Sequence, residues 1–258
     1  MITMATRSVA SKGRIGMDTF NKSSWAREEF TKNYLEKADV YIPERRKMIS
    51  LVSSLFAYFF ARKKDVRVLD LGCGDGVLTE DLLKQGCSIL PTLIDGSESM
   101  LQKARERLRA YQYVSYRTAS FHELLNGSEV LGKFDFCFSA HAVHHLEMHE
   151  KTELFNFIAR HLNQGGRFIN ADVVLPPSEE LEAWYFALWK DWMQQMMDEG
   201  GVTNETPDDV IKRYKDPASM NKPDTLDDQL AALRDAGFQE VDCYHKNGIF
   251  AVFGGKKR

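Results

Sequence analysis

The chain has 258 residues, 43% of them hydrophobic, and its formal net charge is −3. These values are typical of a globular protein with one elaborated α/β domain, and the charge argues against a broad nucleic-acid surface. The sequence contains no stretch that is apolar enough to span a membrane. The four cysteines show no metal-like clustering, so we expect free thiols in a reducing compartment, a cytoplasmic location and no bound metal.

Two regions precede the first predicted strand. Residues 1–16 contain basic residues and no acidic one, which indicates a flexible tail, with a weak organellar transit signal as the alternative. Residues 17–62 are predicted as a helical cap, whose second helix starts near Pro43, a residue suited to a first helical turn. Residues 63–258 form the predicted main domain, with a helical insertion at residues 176–224.

The glycine-rich segment at residues 66–76 is the most specific pattern in the chain. It reads Val-Arg-Val-Leu-Asp-Leu-Gly-Cys-Gly-Asp-Gly, an apolar run that ends in Asp70 and continues into three alternating glycines. This pattern predicts a strand, a tight turn and a helix start, where free N–H groups and the helix dipole can hold an anionic group. The dinucleotide fingerprint G-x-G-x-x-G does not fit, because its third glycine would fall on Val77.

Strands alternate with helices along the rest of the chain. Further strands are predicted at residues 89–94, 114–119, 134–140 and 167–174, and a closing hairpin at residues 241–253 around Asn247-Gly248. Helices are predicted at residues 77–85, 98–109 with Ser97 as the cap, 149–162 and 227–236. This order predicts an α/β fold with a doubly wound, mostly parallel seven-stranded sheet and a C-terminal antiparallel hairpin.

The string V-L-D-L-G-C-G-D-G closely resembles motif I of the class I S-adenosylmethionine-dependent methyltransferases. The likeness covers residues 66–174 and 225–255, and it includes the ending Ala236-Gly237-Phe238 followed by two strands. It implies S-adenosyl-L-methionine as the cofactor and S-adenosyl-L-homocysteine as the product. The whole chain also has a general likeness to small bacterial-type methyltransferases and to enzymes of the carboxy-S-adenosylmethionine synthase type.

The resemblance implies that cofactor contacts lie at the ends of the first four strands. The turn residues Gly72, Cys73 and Gly74 would approach the cofactor, and Asp70 would orient the turn and help hold its cationic amine. Asp95 ends the second strand, where an ionised carboxylate can accept hydrogen bonds from both ribose hydroxyls. The remaining contacts are expected from Gly96, Met100, Ser120, Phe121, Ser139 and Ala140.

The segment after the fourth predicted strand contains His141, His144 and His145. Three interpretations stay open for them: packing of the loop, a general base, and a metal site, although no H-E-x-x-H pattern is present. The string Ser-x-x-x-x-His-His-Leu is similar to one found in family members, and this likeness makes His144 the predicted base.

The insertion at residues 176–224 is long for a simple connection. Residues 179–199 carry aromatic residues and methionines at near-helical spacing, which predicts a helix with an apolar stripe. Three interpretations of this stripe stay open: it packs onto the domain, it lines a substrate pocket, or it forms a dimer contact. We expect this helix and the N-terminal cap to close over a small acceptor molecule. The predicted pocket residues are Trp25, Tyr34, Arg45 and Trp189.

These features predict a methyltransferase that moves a methyl group from the sulfonium of its cofactor to an O, N or C nucleophile of a small acceptor. One alternative is an enzyme that modifies S-adenosylmethionine itself, with Arg45 and Arg46 as a carboxylate site, or that acts in tRNA wobble-uridine modification. Another is a cofactor-binding module without turnover. Nucleic acid is not the favoured partner, no membrane is expected, and the protein is expected to be a monomer or a homodimer.

Overall fold

The computed structural model describes residue 25 and residues 27–127, 131–200 and 204–258. Its seven strands are β1 Val66–Leu71, β2 Ile89–Asp95, β3 Ser115–Thr118, β4 Phe134–Ala140, β5 Leu162–Val173, β6 Phe238–Asn247 and β7 Phe250–Lys257. They form one sheet in the order β3-β2-β1-β4-β5-β7-β6. Strands β1 to β5 are parallel, and β7 pairs antiparallel with β5 and β6. The predicted doubly wound sheet with a C-terminal antiparallel hairpin is confirmed.

Helices cover both faces of this sheet. They are α1 Glu28–Tyr41, α2 Arg45–Phe60, α3 Val77–Lys84, α4 Glu98–Arg107, α5 Phe121–Asn126, α6 Met148–His161, α7 Glu179–Gly200, α8 Pro207–Lys215 and α9 Leu226–Asp235. The predicted tail at residues 1–16 lies outside the described residues, and the division into tail, cap and main domain stays a prediction. No helix in the described part of the chain has the length and apolar character needed to cross a bilayer.

Alternating strand residues place two apolar clusters on opposite faces of the sheet. One cluster joins α2, α3 and α7 to strand residues that include Phe136 and Ile169. The other joins α6 and α9 to Cys137, Phe168 and Phe253. Burying a large apolar side chain contributes roughly 1.5–3 kcal/mol, so these clusters fix the helices on the sheet. The rigid sheet in turn fixes the strand ends from which the site is built.

The structure also differs from the predicted elements in two places. Helix α5 was not predicted, because it is only six residues long and depends on a capping box between Ser120 and Glu123 rather than on apolar spacing. Strand β5 begins at Leu162, where a helix end and a turn were predicted, and a register shift between Phe134 and Phe136 accommodates the added residues. The predicted cap at Ser97 is confirmed, since its side chain accepts a hydrogen bond from the Met100 N–H.

Candidate functional site

A cavity opens at the carboxyl ends of β1, β2 and β4, where the strand order of the sheet reverses. Its wall includes most of the residues predicted to contact the cofactor: Asp70, Gly72, Cys73, Gly74, Asp95, Gly96, Met100, Ser120, Phe121 and Ala140. Trp25, Tyr34 and Arg45, predicted for the acceptor pocket, lie on the same wall. The fold therefore brings together residues from the cap, the glycine turn and three strand ends.

The glycine turn forms the floor of this cavity. The N–H groups of Gly72 and Cys73 donate to the Ile94 carbonyl at 2.8 and 3.1 Å, which joins the turn to the end of β2. Gly74 has a φ of +54°, and a Cβ placed on it would meet no atom within 4 Å. A side chain at Gly74 would therefore be strained and would project into open space, whereas glycine leaves the backbone accessible to a ligand.

Asp95 connects the end of β2 to the same turn. Its Oδ2 accepts a hydrogen bond from the Gly74 N–H at 2.9 Å, and its Oδ1 accepts one from the Ser97 N–H at 2.8 Å. Burial raises the pKa of Asp95, although both backbone donors act to lower it. Each carboxylate oxygen has a further lone pair, so the predicted ribose contact is compatible with this arrangement.

Asp70 is a buried carboxyl group beneath the turn. Its Oδ2 accepts a hydrogen bond from the Thr79 hydroxyl at 2.6 Å. Burial raises the pKa of Asp70 to about 8, and the nearby charges of Asp95 and Asp75 add to that shift. Three carboxyl groups thus lie close together on one side of the cavity. Asp75 already pairs with Arg107, whereas Asp70 and Asp95 have no ion pair with a described side chain, so this side of the cavity fits a ligand that carries a sulfonium and an amine.

The hydroxyl of Ser120 has a local role that was not predicted. It donates to the Glu123 carboxylate at 2.8 Å and accepts from the Glu123 N–H at 3.3 Å, which caps α5. Ser120 remains on the cavity wall beside Phe121, but its hydroxyl is already engaged. Its predicted contact with the cofactor stays a prediction, and the capping bonds do not favour it.

Two predicted site residues lie behind the wall rather than on it. Ser139 is buried within β4, and its hydroxyl donates to the Leu71 carbonyl at 2.6 Å. Trp189 is buried against Phe250 at a ring distance of 5.4 Å, and its Nε1 donates to the Tyr41 carbonyl at 2.7 Å. The stripe on α7 packs onto the domain at this point, so the placement of Trp189 in the pocket is corrected: it supports α1 from outside the cavity.

His144, the predicted base, also lies outside the cavity lining. Its backbone N–H donates to Asp172 Oδ2 at 2.9 Å, and its Nδ1 lies 2.6 Å from Asp172 Oδ1. Burial would raise the pKa of Asp172, but the facing His144 lowers it to about 2, so the carboxylate is ionised and Nδ1 is the donor. The pair fixes the loop after β4 to β5. The prediction missed Asp172, although an acidic residue within an apolar strand was a visible signal.

The other two histidines of the loop line the cavity. The His145 Nδ1 lies 3.3 Å from the Met220 carbonyl, which can only accept, so Nδ1 carries the proton. The Trp25 Nε1–H then donates to the bare His145 Nε2 at 2.9 Å. Burial lowers the pKa of His145 to about 3 and that of His141 to about 4. Both imidazoles are therefore neutral at pH 7 and add no positive charge to the cavity.

Several lining residues were not predicted. They include Leu35, Met48, Ile49, His141, His145 and Met220. Met220 lies in the segment between α8 and α9, which reaches the loop after β4 through a hydrogen bond from the Lys222 N–H to the His144 carbonyl at 2.7 Å. Part of the predicted insertion thus covers the cavity, but this segment does so rather than α7.

The fold and the site define a Rossmann-like cofactor-binding domain, and comparisons with known proteins relate part of the chain to a family. The family described as methyltransferase domain matches residues 68–166. An uncharacterized methyltransferase of Alkaliphilus oremlandii is 29% identical over 45% of this chain and 50% of its own length. A carboxy-S-adenosyl-L-methionine synthase of Nautilia profundicola is 21% identical over 72% of this chain and 75% of its own length.

A solved structure has the same fold. The magnesium protoporphyrin IX methyltransferase of Synechocystis PCC 6803, determined with bound S-adenosylhomocysteine, superposes with a TM-score of 0.59 at 17% identity, covering 93% of this chain and 100% of that one. The chain spans half or less of the length of several curated relatives that it matches. It carries a class I S-adenosylmethionine-dependent methyltransferase domain, as the sequence predicted. The family match supports S-adenosyl-L-methionine as the cofactor.

Proposed function

We propose that the protein transfers a methyl group from S-adenosyl-L-methionine to an O, N or C nucleophile of a small acceptor molecule. The observation that carries this proposal is a pair of carboxyl groups, the buried Asp70 and the half-buried Asp95, at an open glycine turn. An acidic, enclosed cavity suits a cationic cofactor better than a pyrophosphate-containing one, because a pyrophosphate would add negative charge beside these groups.

The residues around the turn divide the work of binding. Asp95 accepts hydrogen bonds from ribose hydroxyls while holding Gly74 in place, and Asp70 faces the positively charged methionine part. Gly96, Met100 and Phe121 enclose the adenosine part, and Ala140 lies beneath the methionine part. When bound, S-adenosylmethionine supplies an electrophilic methyl group on its sulfonium.

The chain's own residues act by alignment and by exclusion of water. An efficient general base has a pKa near the working pH, whereas burial lowers the pKa of His141 to about 4 and that of His145 to about 3. These imidazoles are therefore hydrogen-bonding groups that position an acceptor. Trp25 and Met220, which both bind His145, cover the cavity and limit access of water.

Modification of S-adenosylmethionine itself is the second candidate. It is favoured by the likeness to a carboxy-S-adenosyl-L-methionine synthase and by the presence of Arg45 on the cavity wall. Arg46, predicted beside it, does not line the cavity, and its side chain is 83% exposed. A role in tRNA modification or as a module without turnover has no observation of its own to support it.

The setting of the activity is also part of the proposal. Four free cysteines fit a reducing cytoplasm. We expect the protein to be a monomer or a homodimer, and its partner to be a small-molecule acceptor.

Mass spectrometry of ligands that remain bound to the purified protein tests this proposal. S-adenosylmethionine or S-adenosylhomocysteine is the expected ligand. A carboxylated form would favour the second candidate. A nicotinamide dinucleotide, together with no calorimetric binding of S-adenosylhomocysteine, would contradict both.

A further inference from the structure

A single arginine lies on the cap side of the cavity. Arg45, the first residue of α2, is the one Lys or Arg side chain among the described lining residues. Its Nη1 donates to Asp39 Oδ1 at 2.8 Å. In the part of the chain that the structure describes, the other N–H groups of Arg45 have no acceptor. The Arg45 guanidinium beside the cavity thus has N–H donors that are available to a ligand.

The partner of Arg45 does not neutralise it. Arg46 donates from Nε and Nη2 to Asp39 Oδ2 at 2.9 and 2.7 Å, so two guanidinium groups share one carboxylate. One positive charge is left over in this group of three. The Arg46 side chain is 83% exposed and that of Arg45 is 16% exposed, so water screens the charge of Arg45 less.

Two neutral polar groups share the wall with Arg45. The Tyr34 hydroxyl and the His141 imidazole both line the cavity and have no hydrogen bond to another described side chain. Burial raises the pKa of Tyr34 to about 12, and the charge of Arg45 opposes this shift, which indicates that the two groups are close. The neighbouring lining residues are apolar: Trp25, Leu35, Met48 and Ile49.

On the basis of the proposed function, we propose that Arg45 and Tyr34 form a carboxylate subsite for the acceptor, whose remaining part is apolar or aromatic. Arginine has the planar donor arrangement that matches a carboxylate, and a phenol adds one more donor. His141, neutral and unpaired, supplies a hydrogen-bonding atom to a further polar group of the same molecule. The carboxylate bound here could belong either to the acceptor or to a carboxylated form of the cofactor, and the experiment below distinguishes these two sources.

Benzoate and benzamide are matched probes for this subsite, because they differ in charge and hardly in shape. Each is titrated into protein saturated with S-adenosylhomocysteine, and binding is followed by ligand-observed NMR. We expect benzoate to bind at least about tenfold more tightly than benzamide, the size of one charge-assisted hydrogen bond. Arg45→Gln should abolish this preference. Lys47→Gln, at a nearby exposed lysine that pairs with Glu44 and does not line the cavity, should keep it.

Calorimetry with S-adenosylhomocysteine separates failure of the subsite from failure of the proposed function. If the wild type does not bind S-adenosylhomocysteine, the proposed function is wrong. If it binds, but benzoate has no preference over benzamide or Arg45→Gln retains that preference, the subsite is wrong. Carboxy-S-adenosyl-L-methionine is the third probe. If it binds about tenfold more tightly than S-adenosylmethionine through Arg45 and competes with benzoate, the carboxylate belongs to the cofactor and the acceptor assignment is overturned.

Discussion

The cofactor wall of the cavity comes from one stretch of chain, residues 70–121, together with Ala140 at the end of β4, whereas the acceptor wall joins α1, α2, the loop after β4 and the segment before α9. The cofactor wall consists of turn backbone and of carboxyl groups held by hydrogen bonds, such as the one that Asp95 accepts from the Gly74 N–H. The acceptor wall consists of aromatic and aliphatic side chains connected through His145. We infer that the cofactor wall determines which cofactor binds and that the acceptor wall determines which acceptor binds. Substitutions on the cofactor wall should therefore change cofactor affinity, and substitutions on the acceptor wall should change acceptor affinity.

The largest effect is expected from Gly74→Val. The added side chain would enter open cavity space from a backbone with a φ of +54°, so binding of S-adenosylhomocysteine should fall at least about a hundredfold. Gly86→Val is the matched control, because Gly86 has a φ of +72° and open space around its Cβ but does not line the cavity. Calorimetry on both variants checks this. Equal affinities in the two variants would show that the turn does not contact the cofactor.

His144→Ala should change stability rather than chemistry. It leaves the ionised Asp172 buried without its partner, which costs about 3–5 kcal/mol of unfolding free energy. The double variant His144→Ala/Asp172→Asn should recover part of that loss, and urea denaturation measures both. A general base would give another result: a rate loss of roughly 10²–10⁴-fold with little change in stability.

The difference between the walls also explains what the sequence could predict. The cofactor wall is local in sequence, so a strand, three glycines and the acid at Asp95 indicated it directly. The acceptor wall depends on tertiary contacts: nothing near Met220 indicates that its carbonyl meets His145. The histidine run showed a functional loop, but only the position of Asp172 decides that His144 turns away and that His141 and His145 face inward. Trp189 was misplaced because a stripe gives a helix a buried face without saying what that face covers.

Asp95→Ala should weaken both S-adenosylmethionine and S-adenosylhomocysteine at least about tenfold, since a hydrogen bond to a charged group contributes roughly 1.5–3 kcal/mol. Asp65→Ala is the control, because Asp65 pairs with Ser88 just before β1 and β2, at the opposite edge of the sheet. Unchanged affinity in a folded Asp95→Ala protein would remove the ribose assignment.

The smallest effect is expected from Trp189→Phe. It keeps the buried ring but removes the hydrogen bond to the Tyr41 carbonyl, so the unfolding free energy should fall by about 1 kcal/mol while S-adenosylhomocysteine affinity stays the same. Trp184→Phe, at a side chain that is 56% exposed, should change stability by less than about 0.5 kcal/mol. A loss of cofactor affinity in Trp189→Phe alone would place α7 in the site after all.

The central claim is that the carboxyl groups at the glycine turn bind the cationic part of the cofactor. Proton release on binding of S-adenosylmethionine tests this claim most directly. Burial raises the pKa of Asp70 to about 8, so this group is protonated in the free protein at pH 7, and its unfolded value is near 4. The raised pKa of Asp70 contributes to the free energy of unfolding, fully below about pH 4, and this contribution is lost as the pH rises through about 8. The Asp70→Asn variant should not show this pH-dependent loss.

Calorimetry of S-adenosylmethionine binding at pH 7, in buffers of different ionisation enthalpy, counts the protons released. The wild type should release more protons than Asp70→Asn, because the cationic amine lowers the pKa of Asp70 on binding, and Asp70→Asn should bind more weakly. Equal proton release and equal affinity in the two proteins would contradict the claim.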